Sequence, residues 1–219
     1  MTETSLPRGW RTVHLSDFGR LIRGRGITRA DLVAAGVPCL RYGEIYTKYQ
    51  DTIDDLQSYV SEAAASTATP LAHGDIIFAA SGETREEIGK AVAWLGYGRA
   101  VSGGDTVLLR DHGQDPTFLV HALNSDDAAR QKSTRGKGDA VVHLHAPDLA
   151  EITVVLPPLS EQRRIAAMLR TWDQAIEAIS SLQEAATRQR QGLIQALLKS
   201  PQGNRTHRLQ PVRSGHSAE

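Results

Sequence analysis

Leu156-Pro157-Pro158-Leu159-Ser160-Glu161-Gln162 divides the chain into two unlike parts. Proline cannot donate to a β-ladder and fixes its own φ, so the pair at 157–158 ends the strand expected before it. Ser160 then supplies a capping oxygen, and Glu161 puts a negative charge at the positive end of a helix. No proline follows until Pro201. Residues 1–159 are mixed and turn-rich, 160–200 read as one long helix, and 201–219 form a polar tail expected to be disordered.

The helix carries a seam. Ile165, Leu169, Trp172, Ile176, Ile179, Gln183, Ala186, Arg190, Leu193 and Leu197 follow alternating four- and three-residue steps, and eight of the ten are apolar or alanine. That is the heptad pattern of a coiled coil. Forty helical residues span ~60 Å, too long for one stripe to be buried on a small head. No second long heptad segment exists in the sequence, so the partner helix is expected from another chain. Gln183 and Arg190 cost stability in the seam and can set register.

The head reads as mixed α/β, a twisted multi-stranded sheet with short helices. Residues 10–15 suggest a strand, 16–22 a helix or turn, 23–26 a flexible basic loop and 28–35 a short helix capped by Thr28. Residues 37–46 suggest a strand interrupted at Gly43, and a helix is expected near Ser61. Ile76-Ile77-Phe78-Ala79-Ala80 is continuously apolar and therefore a buried strand. Residues 81–84 follow as a loop. Further strands are expected at 89–95, 105–110, 141–144 and 152–156. Asp115-Pro116 starts a helix through Leu123, with Asp as cap and Pro at its first position.

Charge is uneven. Residues 1–50 carry eight Lys/Arg against four acids, whereas 51–127 carry four against thirteen. A free-standing, non-specific DNA binder is usually basic throughout, so any nucleic-acid contact here must be local or supported by a partner. No apolar run is long enough to span a membrane, and residues 1–11 lack a signal region. The single cysteine, Cys39, excludes an internal disulfide and suits a reducing, cytoplasmic compartment.

Catalytic motifs are wanting. Residues 82–91 imitate a phosphate loop, but six residues rather than four separate the glycines and Ala91 stands where Ser/Thr would bind Mg²⁺. The double proline lacks the flanking residues of an adenine methyltransferase. His143 and His145 can share one strand face, yet no cysteine or carboxylate accompanies them as a zinc set. No metal or cofactor is expected, and Cys39 reads as a small core residue. Two loops suit recognition better. Arg130, Lys132, Ser133, Arg135 and Lys137 lie in a stretch of cations, hydroxyls and glycines, which can contact phosphates and base edges or form a solvated surface. Ser81, Gly82 and Thr84 follow a buried strand as a polar contact loop. Arg41-Tyr42 pairs a cation with an aromatic, which also suits a sheet edge.

Together these segments resemble a known family. Asp75-Ile76-Ile77-Phe78-Ala79-Ala80-Ser81-Gly82-Glu83-Thr84 with Ile88-Gly89-Lys90-Ala91 is similar to the central region of a target-recognition domain from type I restriction–modification specificity subunits. Gly24-Arg25-Gly26-Ile27-Thr28 and residues 37–45 resemble its N-terminal part, and residues 156–166 its boundary into a conserved spacer helix. The resemblance implies a non-catalytic reader of double-stranded DNA. Modification subunits that methylate adenine would dock on it, and a motor-nuclease subunit could join them. Members usually carry two recognition domains and two spacer helices, so one of each implies a half-subunit. A homodimer with antiparallel helices would then read a bipartite site. The other classes left open are a coiled-coil adaptor whose head binds protein, and an independent enzyme such as a nucleotide hydrolase.

Overall fold

The run Ile76-Ile77-Phe78-Ala79 occupies the middle of the head because both of its faces are apolar. In the computed structural model, which describes residues 6–138 and 140–199, Ile76 and Phe78 face one hydrophobic cluster. Ile77 and Ala79 face another. A strand buried on both sides needs no alternation, so it reads as an unbroken apolar run.

The elements begin with β1 (Arg11–His14), β2 (Arg20–Arg23), β3 (Leu32–Val33), β4 (Val37–Leu40) and α1 (Tyr42–Thr47). Next come β5 (Thr52–Ile53), β6 (Ser58–Val60), α2 (Glu62–Thr67), β7 (Thr69–Pro70), β8 (Ile76–Ala79) and β9 (Ser81–Gly82). After them lie β10 (Ala91–Trp94), β11 (Val101–Ser102), β12 (Thr106–Arg110), α3 (Pro116–Leu123) and α4 (Asp126–Arg135). The chain continues through β13 (Val142–His143), α5 (Ala146–Ala150), β14 (Thr153–Leu156) and α6 (Leu159–Lys199).

Two five-stranded sheets form the frame, ordered β2-β12-β8-β10-β5 and β3-β6-β4-β11-β7. In the first, β8 is central and antiparallel to both β12 and β10. Val107 and Leu109 of β12 face the same side as Phe78, while Leu108 faces the other. A bidentate ion pair, Arg110 to the buried Asp75 at 2.8 and 2.5 Å, closes one end of this sheet. A third cluster, containing Cys39, Val37, Val60 and Ala65, lies under β4, β6 and α2. Pairing of β1 with β14 aligns Arg11 with Leu156. It also brings Trp10 Nε1 to donate to Glu161 at 3.1 Å.

The structure revises several local expectations. Residues 28–35 make only one 3₁₀ turn (Arg29–Asp31), held by Thr28 N–H and Oγ1 donating to Asp31 at 2.6 and 2.8 Å. Leu32–Val33 then pairs with β6, so a strand partner overrides the helix propensity of this alanine-rich stretch. Residues 16–22 divide between a 3₁₀ turn and β2, which pairs with β12. The strand expected over 37–46 stops at Leu40. Arg41 N–H donates to Glu44 three residues on, an N-terminal helix contact that starts α1. Part of the supposed 81–84 loop is β9, paired with β13.

The stretch 130–138 is not a loop up to Arg135. Ser125 caps α4 by accepting from Ala128 N–H, Asp126 and Asp127 fill its first turn, and Lys132 and Arg135 its last.

The long helix begins one residue earlier than expected. Pro158 O accepts from Glu161 and Gln162 N–H, so Ser160 lies within the first turn and is not the cap. Buried Gln162 donates to Gln114 (2.7 Å) and Pro157 O (2.9 Å) and accepts from Asp115 N–H (3.1 Å). Ala166 is buried in the first cluster, with Ile165 packed at its edge. Two compact units divide the chain, Met1–Trp172 and Asp173–Glu219. In the second, the described side chains from Gln174 to Leu198 are all exposed. The tail expected over 201–219 lies outside the described residues. Among those described, no helix is long and apolar enough to cross a membrane.

Candidate nucleic-acid interface

Several loops converge at one end of the two sheets. Gly103 N–H donates to Leu40 O, Gly104 N–H to Gly26 O and Ala80 N–H to Asp105 O, all at 2.8–2.9 Å. These bonds put residues 24–28, Arg41, the 103–105 turn and Ser81 in one neighbourhood. Tyr46 of α1 donates to Ser81 O at 3.2 Å, tying that helix to the same end.

Arg41 and Tyr42 open α1. Tyr42 is exposed, but Arg41 is anchored to Glu44. Burial alone would raise the Glu44 carboxyl. Hydrogen bonds from Lys48, Ser58 and Arg41 N–H outweigh it and hold the group below its ordinary value. The carboxylate therefore keeps its charge and restrains both nearby cations, with Lys48 Nζ at 2.8 Å.

Ser81 and Gly82 are buried, whereas Thr84 is exposed. Ser81 Oγ meets His143 Nδ1 at 2.9 Å, and the His143 ring lies parallel to His145 with centroids 6.4 Å apart. Both histidines are exposed. Arg85 holds the β13 approach by donating to Gly136 O and Gly138 O at 2.5 and 3.0 Å. Lys137 reaches Asp148 at 2.8 Å while remaining exposed.

The α4 residues differ among themselves. Lys132 is 2% exposed, and its Nζ donates to Gly89 O (2.7 Å) and Leu123 O (2.8 Å). It serves the C-terminal carbonyl of α3 and is withdrawn from any surface role, which corrects its reading as a contact cation. Desolvation pushes its ammonium down to about 8. Arg135 donates to Gln131 O and Glu151 O, while exposed Arg130 pairs with Asp127. Ser133 is half-buried.

Three side chains at the converging end were not singled out by composition. Arg23 and Arg25 flank Gly24, and both are exposed. Gly24 is required there, since a Cβ would strike Thr106 and Gly103 O. Arg23 lines a cleft of about 460 Å³ with Ser81, Asp105, Thr106, His143 and His145. The signal for the two arginines was the sequence Arg23-Gly24-Arg25-Gly26. Asp105 had no signal, because an acid counts against nucleic acid in a charge tally.

On α6 the seam positions differ by unit. Ile165 and Leu169 are half-buried on the head, while Trp172 is exposed. Ile176, Ile179, Leu193 and Leu197 are exposed by 58–75%, and Gln183, Ala186 and Arg190 are exposed with them. An exposed apolar row of this length is a face awaiting cover.

The type I restriction modification DNA specificity domain matches residues 7–188. The type I restriction enzyme MjaVIII specificity subunit of Methanocaldococcus jannaschii is 22% identical over 201 residues, covering 88% of this chain and 42% of that protein. Among solved structures, one from work on complex assembly and conformational transition of the type I R-M system superposes with a TM-score of 0.62. It is 22% identical and covers 90% of this chain and 46% of its own. The HsdS subunit from Thermoanaerobacter tengcongensis gives 0.54 at 20% identity, over 83% and 41%. The type I S subunit from M. genitalium gives 0.58 at 15%, over 85% and 45%. The structural likenesses concern the fold, and this chain spans less than half the length of each of these relatives. With the domain matched across most of its residues, the chain belongs to the type I restriction modification DNA specificity family.

Proposed function

We infer that this chain is a DNA-reading specificity protein of a type I restriction–modification system, working in the cytoplasm and performing no chemistry itself. Residues 1–159 act as the recognition head and 160–200 as the spacer helix. The observation that carries the reading is the convergence of loops at one end of both sheets. There Arg23, Arg25, Arg41, Tyr42, Thr84 and Lys137 offer phosphate and base contacts. Those contacts are local, as an acidic middle segment requires.

The second half of the reading concerns the helix. Its exposed seam pairs with the same seam of a second copy, antiparallel, so that two heads read two inverted half-sites. Adenine-methylating modification subunits dock on this pair, and a motor-nuclease subunit joins them for restriction. Support for the pairing is the exposed seam from Trp172 to Leu197, apolar or alanine at every three- and four-residue step except Gln183 and Arg190.

Selection from a pool of randomised duplexes by the full chain, followed by sequencing, tests the reading. Enrichment of one defined motif supports it. Recovery of the pool unchanged, together with a head that captures a protein partner, would favour the adaptor alternative.

A further inference from the structure

Arg23 and Asp105 face the same space from opposite charges. Both line the cleft that holds Ser81 and His143, and both line an adjoining one of about 470 Å³ with Gly24, Arg25 and Gly104. Yet neither side chain has a hydrogen-bond or ion-pair partner among the described residues. Three other head arginines, by contrast, are committed: Arg20 to Asp111, Arg99 to Glu62 and Arg110 to Asp75. Two turns beside the pair adopt positive φ at non-glycine residues. Asp105 has φ +56° and Ile27 φ +55°, the second an unfavourable value for a β-branched residue. Gly104 N–H to Gly26 O, at 2.8 Å, staples these two turns together.

The chemistry of the two groups is complementary to one base pair. A guanidinium is a fork of donors without an acceptor, and a carboxylate is acceptor only. In the major groove, guanine shows two adjacent acceptors, O6 and N7, beside the single N4–H donor of cytosine. An A·T pair interrupts that order with a donor on the purine. We propose that Arg23 and Asp105 together read one G·C pair, Arg23 donating both arms to guanine O6 and N7 and Asp105 accepting from cytosine N4–H. This rests on the DNA-reading function above and names specificity residues for it.

The test repeats the randomised-duplex selection with the full chain as wild type, Arg23→Lys, Arg23→Gln and Asp105→Asn. Asparagine tolerates the positive φ at 105, and lysine keeps the charge while losing the fork. The expected result is a G·C preference at one position of the wild-type motif. It weakens about 10- to 100-fold in all three variants, at that same position, with the other positions intact. A uniform loss across sequences with a shallower salt dependence in Arg23→Gln would make Arg23 a phosphate contact and overturn the proposal. An unchanged motif, or loss at different positions for residues 23 and 105, would overturn it too. If the wild type enriches nothing, the DNA reading itself falls, which is a separate outcome.

Discussion

The Lys132 ammonium is buried with two carbonyl oxygens and no carboxylate, so its charge is held against desolvation. Its folded value of about 8 lies below the ordinary 10.5. Between those values the unfolded chain holds a proton that the folded chain has released, so stability from this group rises as pH climbs through that window. Lys132→Met removes the dependence. Relative to that variant, the wild type should gain on the order of 2 kcal/mol between pH 7.5 and 10, read from urea midpoints of both proteins. The enriched DNA motif should be unchanged in Lys132→Met, as expected of a side chain with no surface. Composition alone could not have separated Lys132 from Arg130 or Lys137. Their difference is one of helix face, and the stretch was read as a loop. Arg23 and Arg25 were visible as a basic glycine loop, whereas the value of Asp105 depends on the turn between β11 and β12, which the β2–β12 pairing places beside them.

Elements with enough residues to show a period were legible: β8, β10 and β12 as apolar runs, α3 from its Asp-Pro start, α6 from its heptads. Two-residue strands such as β3, β5, β9 and β11 were not, since they are defined by partners far along the chain rather than by their own sequence. The α4 helix was overlooked although Ser125-Asp126-Asp127 is a start signal, because its interior is polar and has no apolar stripe to mark a period. Ser125→Ala should therefore lower global stability by about 1 kcal/mol, measured by denaturant unfolding. On α6, Ile176→Glu with Ile179→Glu puts charge into the seam and should convert a paired helix into a single one. Sedimentation would show the smaller species, while the head, whose core does not include these residues, should keep its melting transition.

For the whole molecule, the proposed pair would set the separation of its two heads by the length of paired helix. Inserting one heptad into the exposed part of α6 preserves the seam and lengthens each helix by ~10 Å. Selection with that variant should return the same half-sites with the spacer increased by about three base pairs, given 3.4 Å per step along one strand. An insertion of four residues breaks the heptad phase and should weaken pairing instead. The measurement that bears most directly on the account is the mass, by light scattering, of the full chain bound to its selected duplex. Two chains per duplex, a protein contribution of twice 23.8 kDa, is the result the account predicts. One chain per duplex, unchanged as concentration rises, would contradict the paired reader.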